Sequence, residues 1–438
     1  MDPSTLSIFP ATPRQTEASR RATGSSDWGN GMTLDQYVQR DMDLEKSDCG
    51  RDGKYMTWVL APRTNPSALD FLCSCEIFRR DGLSARTNPN TPSDPKPWIE
   101  QVECYGIASV FTPPSNRGKG YARLMMSLLH WILAGNKLPF NSFPSDVWGS
   151  KPVAPSEMGN ATFSALWSDV GDFYEWCSPD CAVPTKKKNG WVVRGLRTTR
   201  WRPRKNVDSL MYTDSAFTGQ WHWLTHEEVD QLCIHDAKRM PDDLRARWLD
   251  HSSAPPTEPK TLFTFLPSGG VEAFQRERLR HFWEKENIAH WGVVFIDPAN
   301  ECTSDLSMAQ AFATWTLELR PSAPRTLVVT RLHCATHSEQ PERVECRISG
   351  ILQGIWEYSI KYDIEVIEIW NFPTDIKEVG YRRAERWFVP FGEEEEYERP
   401  EHLPAFKWYG HGSEAGADMD FENSSEIEWM FNERFCWC

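Results

Sequence analysis

The chain is predicted to be a mixed α/β protein of the α+β kind: a mixed sheet with flanking helices, followed by a second unit of similar order. Three observations predict it. Residues 106–111 form an apolar extended run, a glycine turn follows at Gly118 and Gly120, and a helical stripe comes next at Leu124, Met125, Leu128, Leu129 and Ile132. Around this core the first half reads helix, strand, strand, strand, helix, strand, helix, which is not the strict alternation of a doubly wound sheet. In the second half, 327–332 stands where 107–111 stood and 366–370 where 163–167 stood, yet the connecting residues His337, Ser338, Glu339, Gln340 and Pro341 include no glycine. A duplicated fold whose second copy lacks the turn is expected.

Residues 1–30 are polar and read as a loose lead, or as a short strand followed by a helix. Thr33 precedes Leu34, Asp35, Tyr37 and Val38, so an N-cap, an acidic first turn and apolar side chains at helical spacing predict a helix over 33–45. Residues 57–60 and 71–78 read as strands, with Pro62, Asn65 and Pro66 turning the chain between them. A polar, proline-rich loop over 85–98 leads to an extended stretch, 99–111. Pro113 and Pro114 end it, because proline has no N–H for a ladder. Helix 121–134 follows, then a proline-rich insertion over 136–160, a strand at 163–167, and a helix carrying Phe173, Tyr174 and Trp176. Lys186, Lys187, Lys188 and the stretch 197–205 read as a basic linker with a solvated edge. Beyond it come helix 225–249, a proline break at 255–259, helix 271–285, strands 291–296, 312–319 and 326–334, helix 342–361 and strand 365–370. The acidic run 393–396 reads as a solvated loop. The domain division follows: 1–200, a helical connection over 201–260, and 261–438.

With 438 residues, 40% hydrophobic and 25% charged, the chain is long enough for two large cores. A net charge of -14 argues against nucleic acid as the main partner and favours a cationic substrate. The 21 Trp fill cores or line a groove between the domains. No apolar run has the length of a membrane span, and Met1-Asp2-Pro3-Ser4 does not open a secretory signal, so a cytoplasmic protein is expected. Twelve Cys are scattered. The close pairs Cys73/Cys75 and Cys436/Cys438 lack the second pair a zinc site requires, so reduced thiols and no metal are expected.

Two glycines at a helix entrance remove the Cβ atoms that keep a ligand from the backbone, and the free N–H groups there suit a diphosphate. A dinucleotide fingerprint would need a third glycine and an acid about 20 residues further on. A Walker loop would need Lys followed by Ser or Thr, whereas Lys119 precedes Gly120 and Tyr121. Neither fits.

Ser115-Asn116-Arg117-Gly118-Lys119-Gly120-Tyr121-Ala122 resembles the GNAT acyltransferase loop: Arg or Gln, two residues, Gly, one residue, then Gly or Ala. Ser115 departs from it at the first position. The resemblance implies a GNAT-like mixed sheet and acetyl-CoA as co-substrate. Its diphosphate would lie on the amides of Asn116, Arg117, Gly118, Lys119, Gly120, Tyr121 and Ala122, with charge from Arg117 and Lys119. Ser168-Asp169-Val170-Gly171-Asp172-Phe173-Tyr174 resembles the stretch after the fifth strand, where a tyrosine often protonates the leaving thiolate. Tyr174 is the candidate acid; the alternative is a packing aromatic. Closer still is a resemblance to the fungal lysine N6-acetyltransferase family, at modest identity over nearly the whole chain. It is carried by Ala11-Thr12-Pro13, Trp28-Gly29, Leu34-Asp35-Gln36-Tyr37, Ser74-Cys75-Glu76, Phe78-Arg79, Ala108-Ser109-Val110-Phe111, the glycine loop, Trp167 to Gly171, and Trp408-Tyr409-Gly410. It implies acetyl transfer to the side chain of free lysine and a C-terminal GNAT-like domain without its own cofactor. Transfer to another small amine, or a non-catalytic acyl-CoA-binding role, are the alternatives.

Direct transfer from a thioester needs an amine freed of its proton, since an ammonium with a pKa of about 10.4 has no lone pair. Glu76 and Glu103 are the candidate bases, with Asp169 behind them; each reads equally as a surface acid. A backbone N–H on the strand at Ala108, Ser109 and Val110 would face the oxyanion. No cysteine nucleophile is required. A free amino acid also needs a cation for its carboxylate, for which Arg79 or Arg80 stand nearest in sequence, and residues near Trp408 and Tyr409 to close the cleft.

Overall fold

The computed structural model describes residues 2–88, 96–138, 142–180, 188–205, 220–250, 261–296, 305–321, 323–335, 341–374, 376–377, 391–410 and 427–438. The chain opens with strand β1 (Leu6–Pro10) and helix α1 (Pro13–Gly24), then helix α2 (Leu34–Lys46). Both helices start on a capping box. Thr12 with Gln15, and Thr33 with Gln36, exchange side-chain and backbone bonds, which satisfies amides that a helix start leaves open. Strands β2 (Tyr55–Pro62), β3 (Cys73–Arg86) and β4 (Trp98–Phe111) run antiparallel in sequence order beside β1. Helix α3 (Tyr121–Leu133) crosses over to β5 (Phe163–Ser168), which pairs parallel to β4; the short helix α4 (Ser145–Trp148) lies in the proline-rich insertion. The stripe predicted for α3 is buried completely at Met125, Leu128, Leu129 and Ile132.

Strands β6 (Val192–Val193), β7 (Arg197–Trp201) and β8 (Gln220–Leu224), helix α5 (His226–Asp250) and β9 (Thr261–Phe265) follow. The region expected as one helix over 271–285 is two short helices, α6 (Ala273–Glu277) and α7 (Arg280–Trp283), broken at Leu279. Then come β10 (Gly292–Ile296), β11 (Ala311–Glu318), β12 (Thr326–Cys334), helix α8 (Pro341–Lys361) and β13 (Val366–Trp370). Strands β10, β11 and β12 are antiparallel, and α8 crosses to β13, parallel to β12. The second half thus repeats the first around its central crossover. His337, Ser338, Glu339 and Gln340, which connect β12 to α8, lie outside the described residues, as do the proline break 255–259, Lys186 and Lys187.

Three expectations change. The helix expected at Phe173 is one 3-10 turn, Phe173–Trp176: the chain leaves helical geometry at Cys177, before Pro179, and the Trp191 N–H bonds the Tyr174 carbonyl instead. The basic stretch at Arg197 is the strand β7, and the acidic run is the strand β14 (Glu394–Glu398). They pair antiparallel with opposite charges side by side; Arg197 lies 3.6 Å from Glu396, and Arg200 sits 4.9 Å over the Tyr397 ring.

The last strands, β15 (Leu403–Trp408) and β16 (Ile427–Trp429), complete the topology. Among the described residues, one sheet runs β1-β2-β3-β4-β5-β15-β6, with β9 paired to β3 and β16 to β9; the other runs β14-β7-β13-β12-β11-β10-β8. Each half lends the other a strand. β15 follows the second crossover yet pairs with β5, and β7 follows the first yet pairs with β13, in equivalent antiparallel positions. Aromatic residues weld this exchange: Phe163 packs 4.5 Å from Phe263 and 4.9 Å from Phe265, and Trp429 stacks on Phe263 at 5.6 Å.

The C-terminal segment is locked to the second sheet through a buried arginine. Arg331 on β12 holds Asp236 of α5 at 2.9 Å and Glu433 at 2.6 Å, and Glu433 also accepts from the Leu332 N–H at 2.7 Å. These contacts lie beyond Val329, where the pairing of β12 with β13 ends, so the gap between those strands is closed by the chain itself. Removing one partner of such a cluster strands buried charge. Arg331→Met is expected to lower stability by about 3–5 kcal/mol, read from the urea midpoint; an unchanged midpoint would mean the cluster contributes no net stability.

Candidate active site

β4 and β5 pair only from Cys104–Phe163 to Ile107–Leu166. Just beyond, β4 bulges. Ser74 faces Phe111 and Glu76 faces Ala108, so Ser109 and Val110 together oppose Cys75 alone. Ser109 takes a φ of 51°, unusual for a residue with a Cβ. A bulge bends the strand and takes backbone groups out of the ladder. The bend opens onto a cavity of about 510 Å³ whose wall includes Ala108, Ser109, Val110, Glu76 and Tyr174, a size suited to a small molecule.

Glu76 is buried on β3 and accepts a 2.8 Å hydrogen bond from the Tyr55 hydroxyl. Burial, with the nearby Asp41 carboxylate, pushes its pKa up; hydrogen bonds from Ser109 and Tyr55 and the charge of Arg20 pull the other way. A carboxylate beside the bulge whose pKa is raised is a stronger base than an exposed glutamate. Tyr174 reaches the same cavity from the 3-10 turn, and burial keeps its hydroxyl protonated well above the usual phenol range.

Of the other acids, Glu103 is not in the wall; its carboxylate accepts from Tyr105 at 2.6 Å. Asp169 is in the wall but is engaged by His402, whose N–H lies 2.8 Å and Nδ1 2.9 Å from it. Burial opposes its ionisation, but His402 wins and draws its pKa down. Arg79 and Arg80 do not line the cavity: Arg79 bonds the Asp52 carbonyl, and Arg80 the Cys436 carbonyl at 2.6 Å. Trp408 and Tyr409 are also outside it. Tyr409 anchors α3 instead, its hydroxyl 2.6 Å from His130.

The glycine loop follows β4 after Pro113. Gly118 (φ 73°) and Gly120 (φ 80°) are left-handed, and a Cβ built on either meets nothing within 4 Å. Gly120 is the N-cap of α3 and caps it with no side chain. Asn116 and Arg117 spend their N–H groups on the carbonyls of Pro113 (2.8 Å) and Pro114 (3.3 Å). Among the described residues, the N–H groups of Gly118, Lys119, Gly120, Tyr121 and Ala122 have no such backbone partner. The Lys119 ammonium bonds the Ser115 carbonyl at 2.8 Å, closing the turn. Open amides at the positive end of a 13-residue helix fit a diphosphate.

Several wall residues carry no sequence signal. Arg40 and Asp41 on α2 form a 2.6 Å ion pair, and Arg278, Glu318, Arg320 and Arg434 come from the second half. Only the closing of the two halves gathers them. Asp236, Asp243 and His333 are the one possible metal cluster among the described residues, but Arg331 and Arg239 already occupy Asp236 at 2.9 and 2.8 Å. Nine of the ten described cysteines are buried, and no described helix is long and apolar enough to cross a membrane.

The chain is 27% identical over 156 residues to the lysine acetyltransferase of Yarrowia lipolytica (strain CLIB 122 / E 150), a match spanning 35% of this chain and 36% of that protein. Its structure is similar to a conserved protein of unknown function from Enterococcus faecalis V583, a probable N-acyltransferase (9% identity, TM-score 0.47, 93% of this chain and 73% of that one). It is also similar to a GCN5-related N-acetyltransferase from Anabaena variabilis ATCC 29413 (10% identity, TM-score 0.44, 92% and 73%). The pattern of the LYC1 GNAT-like C-terminal domain matches residues 207–438, more than half of the length, and the chain belongs to that GNAT-like family.

Proposed function

We propose that this protein is an N-acetyltransferase moving an acetyl group from acetyl-CoA to the side-chain amine of free lysine, in a compartment that keeps its thiols reduced. The observation that carries the reading is the convergence of Glu76, Tyr174 and the β4 bulge on one cavity. The likeness to the Yarrowia lysine acetyltransferase supports the choice of amine. Acetyl-CoA supplies the acetyl group as a thioester, and the loop from Gly118 to Ala122 holds its diphosphate. Glu76 takes the proton of the incoming ammonium, leaving the nitrogen lone pair free. The bulge turns the backbone at Ser109 and Val110 toward the reacting carbonyl. Attack forms the carbon–nitrogen bond and a tetrahedral oxyanion; as it collapses the carbon–sulfur bond breaks, Tyr174 gives its proton to sulfur, and the second proton shed by nitrogen restores Tyr174. The sequence between β12 and α8 contains no glycine, and the strand gap beside β12 is closed by Glu433, which supports one cofactor per chain.

Thiol release from acetyl-CoA, screened against lysine, other amino acids and polyamines, tests this. Release is expected with lysine above all others. Release with a different amine would move the substrate but keep the chemistry, and no release with any amine would sink the enzymatic reading.

A further inference from the structure

The second half brings three arginines into the cavity wall, Arg278, Arg320 and Arg434, with Glu318 and Glu401. Glu318, at the end of β11, is shared by Arg320 at 3.3 Å and Arg434 at 3.4 Å, and Arg320 also bonds the Asn30 side chain at 2.8 Å. Arg434 lies between two indoles, 4.4 Å over Trp370 and 4.3 Å over Trp437. Arg278 is different. Its guanidinium carbon lies 4.0 Å from the Trp437 ring centre and the residue lines the cavity, and among the described residues the guanidinium makes no hydrogen bond and no ion pair, only the backbone N–H being bonded, to Phe274. Glu318, the carboxylate that acts on it, is already divided between two other guanidiniums. Burial pulls the pKa of Arg278 down to about 9, against the opposing pull of Glu318, which leaves it charged at neutral pH. A guanidinium held over an aromatic face, with its donors unspent and two further arginines in the same wall, is a site prepared for a planar anion.

We propose that Arg278 binds the α-carboxylate of the acceptor, so that the second half of the chain selects an amino acid over an amine that lacks the carboxylate. This rests on the lysine reading above and deepens it. The cavity has two chemically distinct parts, Glu76 at the bulge for the reacting ammonium and Arg278 for the carboxylate. The unusual feature is that the catalytic groups come from the first half and the selective one from the second.

The test compares L-lysine with L-lysinamide, which keeps both amines and loses only the negative charge. In the wild-type protein kcat/KM for lysine is expected to exceed that for lysinamide by about 10-fold to 100-fold, the discrimination a charge-assisted hydrogen bond confers. In Arg278→Gln the ratio is expected to fall to within about 3-fold of unity, through KM. Because the ratio is internal to each protein, partial misfolding cancels. Arg278→Lys, which keeps the charge without the planar fork, is expected to fall between, and serves if the glutamine variant does not fold. A wild-type ratio near unity overturns the proposal, as does an Arg278→Gln ratio equal to wild type. A variant that instead weakens coenzyme A binding also overturns it, by assigning the guanidinium to the cofactor. If no amine is acetylated, the enzymatic reading fails separately, while calorimetric titration of the wild-type protein with lysine and lysinamide still decides whether the carboxylate is read.

Discussion

Glu76→Gln is expected to lower kcat/KM for the amine by about 10²–10⁴-fold, the range lost when a positioned general base is removed. The substitution is close to isosteric and its amide oxygen can still accept from Tyr55, so the fold and the cofactor affinity should persist. The pH dependence carries more information. The base works deprotonated, and burial with Asp41 holds its pKa above the ordinary glutamate value. Activity is therefore expected to fall on acidification at a higher pH than the usual carboxylate range of about 4.3 would give. Asp41→Asn removes one source of repulsion and should move this acid limb to lower pH. The limb should disappear in Glu76→Gln. A glutamine variant with wild-type kcat/KM and an unmoved limb would falsify the assignment and turn attention to Asp169, the other sequence-predicted acid in the wall.

Replacing both loop glycines, Gly118→Val with Gly120→Val, is expected to raise the Kd for coenzyme A by about 10²-fold or more. Each position has a positive φ, which costs a residue with a Cβ roughly 1–2 kcal/mol. A Cβ at either position meets no protein atom within 4 Å, so the added bulk starts into open space at the loop. Losing two amide–phosphate hydrogen bonds at about 1.5–3 kcal/mol each accounts for the effect. Titration calorimetry with coenzyme A measures it, beside a thermal melt that should show only the strain. Unchanged affinity would remove the loop from the cofactor site. The strain alone predicts a lower Tm with normal binding, so the two outcomes are distinguishable.

Much of the architecture is legible along the chain because it is local. Thr33 before the acidic Asp35 announces α2, the stripe from Leu124 to Ile132 announces α3, and Pro113 and Pro114 stop β4 where expected. The repeated order of strands around β4 and β12 is equally visible, since alternation and length mark strands wherever they pair. The turn at Phe173 is misread as a helix because its apolar spacing is helical, whereas Gly190 brings another segment against it: a Cβ there would lie 2.0 Å from the Tyr174 carbonyl. The charged strands β7 and β14 are misread for the converse reason. Each is polar enough to look solvated, yet β7 lies between β13 and β14, and β14 pairs with it charge against charge.

The candidate site divides in the same way. Residues whose role depends on backbone geometry, Gly118 and Gly120 above all, are marked by their own chemistry, and Glu76, Ser109 and Tyr174 lie close to such marks in sequence. Arg278, Glu318 and Arg434 are marked by nothing, because an arginine or a glutamate on a surface and in a cleft looks alike until a surface closes over it. The sequence by itself determined the two units of like strand order, the glycine turn before α3 and the strand that carries it. Only the tertiary structure decided that the halves exchange β15 and β7, that Glu433 closes the second gap, and which charges face the first. Strand pairing and burial join residues hundreds of positions apart, and no local propensity records which partner a pleated edge or a long cationic side chain will meet.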